Sequence, residues 1–169
     1  MSQWPQIFAG DLLDADLLMS MVPLDARKSV STSRASNIVV AADPELVLTV
    51  AANAEYRIEF YFRISGDPAA DMDIKFTVPS GATGSYTVTG RLAGTSVADS
   101  DARTSTRIAF GVETQFSTPS TAAAQANHGA GRLITINGGT VSIDWAQTVS
   151  NGTASVMEAD SWISLRRIA

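Results

Sequence analysis

The sequence predicts an all-β protein, an antiparallel β-sandwich of jelly-roll type, preceded by a short extended and helical anchor segment. Three observations carry this expectation. From about Lys28 onward, apolar residues recur at every second position, the period of a half-buried strand. Turn signals built on Gly, Pro, Asn and Asp interrupt the chain at intervals of roughly ten residues. No helical pattern separates the strands, which excludes alternating β/α units. With 169 residues the chain is the size of one ordinary domain. Its 45% hydrophobic against 17% charged residues allow a buried core rather than disorder. The expected division is an anchor over residues 1–25 and a sandwich over residues 28–169.

Trp4-Pro5-Gln6-Ile7-Phe8-Ala9-Gly10 opens the chain as an apolar stretch, and Pro5 pushes the residue before it out of the helical region. Asp11 or Asp14 can cap a short helix through Leu12, Leu13, Leu17, Leu18 and Met21, which Pro23 cannot continue. Such a helix is marginal alone in water, because nucleation is costly and isolated helices need about 12–15 residues. It also carries more large apolar side chains than so short a piece can hide. Another polypeptide is therefore expected to cover Trp4, Ile7, Phe8, Leu12, Leu13, Leu17, Leu18 and Met21, making residues 1–22 a docking segment.

Residues 46–50 read as the first clear strand. Tyr56, Ile58, Phe60, Phe62 and Ile64 then alternate with Glu55, Arg57, Glu59, Tyr61 and Arg63, a long strand with one apolar face. Residues 74–78 repeat the pattern and stop at Pro79-Ser80-Gly81. Residues 86–89 and 107–116 read as strands with Thr-rich outer faces. Residues 133–136, the turn Asn137-Gly138-Gly139, and Val141, Ile143 and Trp145 form the clearest expected hairpin, since Asn-Gly readily takes positive φ. Asn151-Gly152 offers a turn before a last strand over 161–168. Residues 94–106 and 117–131 lack a periodic apolar face and are expected as long surface loops.

Seventeen Asp+Glu against twelve Lys+Arg give a net charge of −5. That balance argues against nucleic acid or an anionic membrane as the main partner, since both need clustered cations. No stretch has the length of a membrane span, and the opening residues lack the basic and apolar regions of a secretory signal. Synthesis in the cytoplasm is the expectation. With no cysteine there is no disulfide, thiolate nucleophile or thiolate metal site. With one histidine, His128, the usual His-based metal and catalytic clusters are out.

The remaining polar groupings have ordinary explanations. Asp67, Asp71 and Asp73 crowd one turn, and Asp99 and Asp101 another. Oxygen clusters can hold calcium, but neither has the spacing of a calcium loop, and Asp favours turns because it bonds its own backbone. His128, in Gln125-Ala126-Asn127-His128-Gly129, has no Gly-x-Ser-x-Gly elbow to serve and is expected as a solvated loop residue. Glu55, Glu59, Glu113 and Asp144 could supply a glycosidase pair, yet Glu alternating with Arg along a strand is the pattern of a solvated or ion-paired face. Arg166-Arg167 is too short for a nucleic-acid patch and should face water. No catalytic residue, metal or cofactor is expected. Tyr61, Tyr86, Trp145 and Trp162 stand as stacking candidates for a sugar ring, against packing in a core or between subunits.

Two blocks carry a resemblance. Trp4-Pro5-Gln6-Ile7-Phe8-Ala9-Gly10-Asp11-Leu12-Leu13-Asp14-Ala15-Asp16-Leu17 resembles the lead segment of many small phage tail and fibre proteins. The body is similar to small virion structural proteins of actinobacterial phages and prophages, through Val50-Ala51-Ala52-Asn53-Ala54-Glu55-Tyr56-Arg57-Ile58-Glu59-Phe60, Phe76-Thr77-Val78-Pro79-Ser80-Gly81-Ala82-Thr83-Gly84, Asp144-Trp145-Ala146-Gln147 and residues 159–168. The likeness covers most of the chain in order, the two long loops matching poorly. Asp14 stands where Thr is common and keeps the capping function. The resemblance implies a minor tail or similar virion role and no catalytic residues. The expectation is a non-enzymatic structural protein of the virion, at the tail fibre or tail tip or on the capsid surface. It would dock to other virion proteins through residues 1–22 and self-associate, with a trimer natural for a fibre or knob. The alternative is a carbohydrate-binding module that attaches the particle to a host-surface glycan.

Overall fold

The computed structural model describes residues 5, 7–90, 103–104 and 107–169. Trp4, Asp99 and Asp101 lie outside the described residues, as does most of the expected 94–106 loop. Along the chain come α1 (Ala15–Ser20), β1 (Leu24–Arg27), β2 (Thr32–Arg34), β3 (Ala41–Val50), β4 (Ala54–Ser65), β5 (Met72–Thr77), β6 (Thr83–Gly90) and β7 (Arg103–Thr104). They are followed by β8 (Ile108–Ala109), β9 (Thr114–Phe116), β10 (Gln125–Thr135), β11 (Gly139–Gln147), β12 (Ser155–Met157) and β13 (Trp162–Arg167).

Among the described residues every strand pairing is antiparallel, and the strands form two sheets. The larger runs β1-β13-β4-β10-β6-β7, with β12 bridging β2 and β4 and β8 added to β6; the smaller runs β3-β11-β5-β9. The predicted all-β sandwich is the observed architecture. Its apolar faces meet in one core. Tyr56, Ile58, Phe60, Phe62 and Ile64 of β4 and Leu133 of β10 face Met72, Ile74 and Phe76 of β5 and Val141, Ile143 and Trp145 of β11. Phe60, Phe62, Phe76 and Tyr86 pack ring to ring, with centroids 4.7 Å apart for Phe76–Tyr86 and 4.8 Å for Phe60–Phe62. Each fully buried side chain of this size contributes about 1.5–3 kcal/mol against exposure to water.

Three expectations are corrected. Residues 133–136 and 139–145 are not a hairpin: β10 pairs with β4 and β6, whereas β11 pairs with β3 and β5. Asn137-Gly138 carries the chain from one sheet to the other. A corner between packed sheets keeps the same inward alternation as a hairpin, so the pattern does not separate them. Residues 125–131 are not loop but the first half of β10, at the centre of the larger sheet. Their small side chains hide the alternation because Gly129 and Gly131 sit against large neighbours. A Cβ on Gly129 would lie 2.1 Å from the Thr87 carbonyl oxygen and 2.4 Å from Phe60 Cζ; one on Gly131 would lie 2.4 Å from the Ser85 carbonyl oxygen. Third, α1 begins only at Ala15, so Leu12 and Leu13 precede it. Of the two expected caps, Asp14 serves, its Oδ1 accepting the Leu17 amide at 2.8 Å. Pairing in the sheet starts at Leu24, before the change of period at Lys28.

Candidate functional site

The outward side chains of the larger sheet fall into rows that cross several strands. Arg27, Trp162, Tyr61, His128 and Thr89 are successive cross-strand partners from β1 to β6. The next outward row is Asp25, Ser164, Glu59, Ala130 and Thr87. The one after is Arg166, Arg57 and Arg132, continued by Ser85. These rows exist because β4, β10 and β13 keep their register over their whole shared length, so period-2 alternation places the same face outward on each.

Trp162 and Tyr61 stack across the strand boundary, centroids 6.4 Å apart and planes 19° from parallel. Together they form a ridge, half-buried at its base. Grooves lie on either side of Trp162. One of about 420 Å³ is lined by Tyr61, Glu59, His128, Thr87, Thr89 and the Gly129-Ala130 backbone floor; the other, of about 390 Å³, by Asp25, Arg27, Glu59 and Ser164. The small outward side chain of Ala130 keeps the first groove open. The side chains of Tyr61, Thr87, His128, Trp162 and Ser164 make no hydrogen bond to the described part of the chain. Glu59 Oε1 pairs with Arg57 at 2.6 Å, both groups largely in water. Arg132 chelates Glu55 and holds its carboxyl below the usual carboxylate range. Arg166 is exposed and has no such partner among the described residues.

On the outer face of the smaller sheet several polar side chains bond one another, although among the described residues Thr49 and Thr140 do not. Thr77 Oγ1 donates to Asp144 at 2.7 Å, Ser142 Oγ to the same carboxylate at 2.6 Å, and Thr148 Oγ1 to Asp73 at 2.8 Å. Glu113 pairs with Lys75. No two of Glu55, Glu59, Glu113 and Asp144 are brought together as a facing pair: the first two are on the larger sheet, the others bonded on the smaller. Asp67 caps Ala69, and Asp71 accepts from the Thr118 amide. Among the described residues no group of three acids or histidines is placed to hold a metal ion.

Four aromatics entered as stacking candidates, and the structure separates them. Tyr86 and Trp145 are withdrawn, being 2% and 0% exposed within the core, where no ligand reaches them. Tyr61 and Trp162 remain, on the outer face. His128 is likewise moved, from an expected loop to the outward side of β10 beside Tyr61.

Trp145 anchors a buried polar cluster that sequence reasoning missed. Lys28 and Asp43 are both wholly buried, and Lys28 Nζ lies 2.9 Å from each Asp43 oxygen. Lys28 also donates to Thr32 Oγ1 at 2.8 Å, and Glu45 stands 3.5 Å away. Asp43 accepts from Trp145 Nε1 at 3.1 Å and from the Glu45 and Leu46 amides. The Arg34 guanidinium covers the other side of the indole, 4.1 Å from the ring centroid, and donates to the Ala41, Ala42 and Trp145 carbonyls. Burial lowers the Arg34 pKa, with Asp43 and Asp144 opposing. This cluster ties β1 and β2 to the smaller sheet, closing one side of the sandwich. The only sequence signal was a lysine at the edge of an apolar pattern.

The docking candidates are placed as follows. Ile7, Phe8, Leu12, Leu13, Leu18 and Met21 are exposed, Leu12 the most at 82%, and Leu17 is half-buried. The end of the segment meets the sandwich along a crevice of about 200 Å³ between Met19 and Val22 on one side and Leu24, Tyr56 and Leu165 on the other.

No family profile matches the chain, and no curated protein matches it. Among solved structures, a chain from the "Structure of infectious bursal disease virus Gx strain" overlaps 87% of this chain at 9% identity with a TM-score of 0.18. The overlap spans 41% of that chain. A likeness so slight bears on neither fold nor role.

Proposed function

We propose that the chain is a non-enzymatic structural component of a bacteriophage virion, of tail-fibre or tail-tip rather than capsid-surface type. Residues 1–22 dock it to other virion proteins, and the sandwich is displayed as a homo-oligomer, a trimer. The observation that carries this reading is the contrast within one short chain. The sandwich buries a shared apolar core and leaves its exposed apolar residues, such as Val30, Val39, Val112, Ile136 and Val149, scattered along the chain, whereas Ile7, Phe8, Leu12, Leu13, Leu18, Met19 and Val22 are all exposed within one short segment. Apolar surface gathered on one segment marks an interaction site, and burying it against a partner is favourable in proportion to the area covered. The tail assignment draws on the likeness of residues 4–17 to the lead of tail and fibre proteins.

Removing residues 1–22 tests it. The cut falls before β1, so the sandwich keeps every strand of both sheets. The expected product is a folded, soluble domain with an unchanged β-type circular dichroism spectrum that no longer enters phage particles. Incorporation at the full-length level would overturn the docking role.

A further inference from the structure

We propose that the outer face of the larger sheet binds an acidic glycan, a sugar chain bearing carboxylate or phosphate groups, laid across Trp162 and reaching the row Arg166, Arg57 and Arg132. This site is independent of residues 1–22 and stands or falls without the virion reading.

Three features of the face converge. The first is the ridge. A sugar ring presents C–H groups on its flat side, and these pack against the electron-rich face of an indole or phenol, while its hydroxyls stay at the rim. Trp162 offers that contact with Tyr61 beside it, and a groove on either flank leaves room for a chain ligand to cross it. The second is the supply of polar groups with no partner among the described residues. His128, Thr87 and Ser164 line the grooves within one row of the ridge, and Glu59 reaches both grooves. A few convergent polar groups in a mostly apolar depression are the usual make-up of a small-ligand site.

The third is charge. Arg166, Arg57 and Arg132 stand directly opposite one another on three adjacent strands. Like charges so placed destabilise a sheet, and Glu59 and Glu55 relieve only two of the three. Guanidinium groups suit carboxylate and phosphate oxygens, which they bind in bidentate fashion. Outward rows follow one another at about 6.8 Å, so the arginines lie about 13 Å from the ridge, a span a short oligosaccharide covers. A second copy of the chain docking face to face about a two-fold axis through this row would set the arginines against themselves. Asp25, Glu55 and Glu59 interrupt the cations, and the whole chain carries −5, which disfavours the continuous phosphates of a nucleic acid.

The test is titration of the full chain with oligogalacturonate, a glycosylated glycerol-phosphate oligomer and neutral maltohexaose, followed by calorimetry and tryptophan fluorescence. At least one acidic probe should bind, with a change in indole emission, and bind several-fold tighter than maltohexaose. Trp162→Ala should weaken binding by about tenfold or more, the scale of a lost stacking contact. Arg166→Gln, distant from the core, should weaken it several-fold and flatten its dependence on salt. Circular dichroism on both variants separates loss of the site from loss of the fold, and Arg166→Gln decides alone if Trp162→Ala does not fold. Several results would overturn the proposal: no binding of either acidic probe, equal binding of maltohexaose, binding indifferent to Trp162→Ala in a folded variant, or tighter binding of a single-stranded oligodeoxynucleotide.

Discussion

Trp145 and Trp162 occupy strands of similar alternation and meet opposite surroundings. Trp145 lies on β11, between β3 and β5, with its indole N–H on Asp43 and Arg34 across its face. Trp162 lies on β13, between β1 and β4, and turns to the outer side, where it touches Tyr61 and leaves its N–H unbonded among the described residues. The same contrast holds for the two outer faces. On the smaller sheet Thr77, Ser142 and Thr148 bond Asp144 and Asp73, with Thr49 and Thr140 left over; on the larger, aromatic, imidazole and hydroxyl groups are left over beside three arginines. A face that consumes its own hydrogen bonds has little to offer a ligand. A face that does not is where recognition belongs.

The strongest way to probe the Trp145 side is to break its ion pair. Asp43→Ala leaves the Lys28 ammonium buried with only Thr32 and the more distant Glu45, and should cost about 3–5 kcal/mol. Lys28→Met should cost less, about 2 kcal/mol, because Asp43 keeps the Trp145 N–H and two backbone amides. Urea unfolding measures both. The reverse order would mean that the carboxylate, not the ammonium, is the costlier group to strand. Trp162→Ala, by comparison, removes a half-exposed ring and should leave the unfolding midpoint far closer to the parent's.

A second comparison sets the two sides of β10 against each other. Gly131→Val forces a side chain into a site where a Cβ alone comes within 2.7 Å of Tyr86 Cβ and 2.4 Å of a carbonyl oxygen. Overpacking of this kind costs typically about 1–3 kcal/mol. Ala130→Val, one residue away on the outer face, should shift stability by less than about 0.5 kcal/mol while narrowing the groove beside Tyr61. Equal losses in thermal melts would show that the outer face is as tightly packed as the inner.

These same positions show how far the sequence could be read. The strands of β4, β5 and β13 were legible because large apolar residues alternate with charges, and a strand with one wet face has no other economical pattern. The first half of β10 was not, since Gly129 and Gly131 stand at inward positions where neighbouring rings fill the space, and the apolar signal sits on Phe60 and Tyr86 instead. The sheet change after Thr135 was hidden because a corner and a hairpin share turn chemistry and period. At the site, Tyr61 and Trp162 were named from their residue type, but Tyr86 and Trp145 carried the same signal and lie inside. What separates them is which side of each strand the second sheet covers, a long-range fact that alternation leaves open. The arginine row was invisible for a related reason: Arg57, Arg132 and Arg166 become neighbours only through register.

The smallest effect expected is a pH slope on the Trp145 side. Glu45 accepts from the hydroxyl and the amide of Ser29, 2.5 and 2.9 Å away, and these bonds pull its carboxyl from an ordinary 4.5 down to about 2, with the Val30 amide and the Lys28 charge assisting. A carboxyl depressed in the folded state stabilises it above the unfolded value, and that contribution fades as pH falls through the folded one. The Ser29–Glu45 contact should therefore hold fully above about pH 4.5 and be lost toward pH 2. Asp160 bonded to Arg27, and Glu55 bonded to Arg132, shift in the same direction and add to the slope. Glu45→Gln should lower the melting temperature slightly at neutral pH and remove its own share of the acid slope, so that the variant and parent curves converge as pH approaches 2. Curves that stay parallel from pH 5 to pH 2 would show that Ser29 grips the protonated carboxyl as well as the anion. The lock around Lys28 would then owe nothing to Glu45's charge.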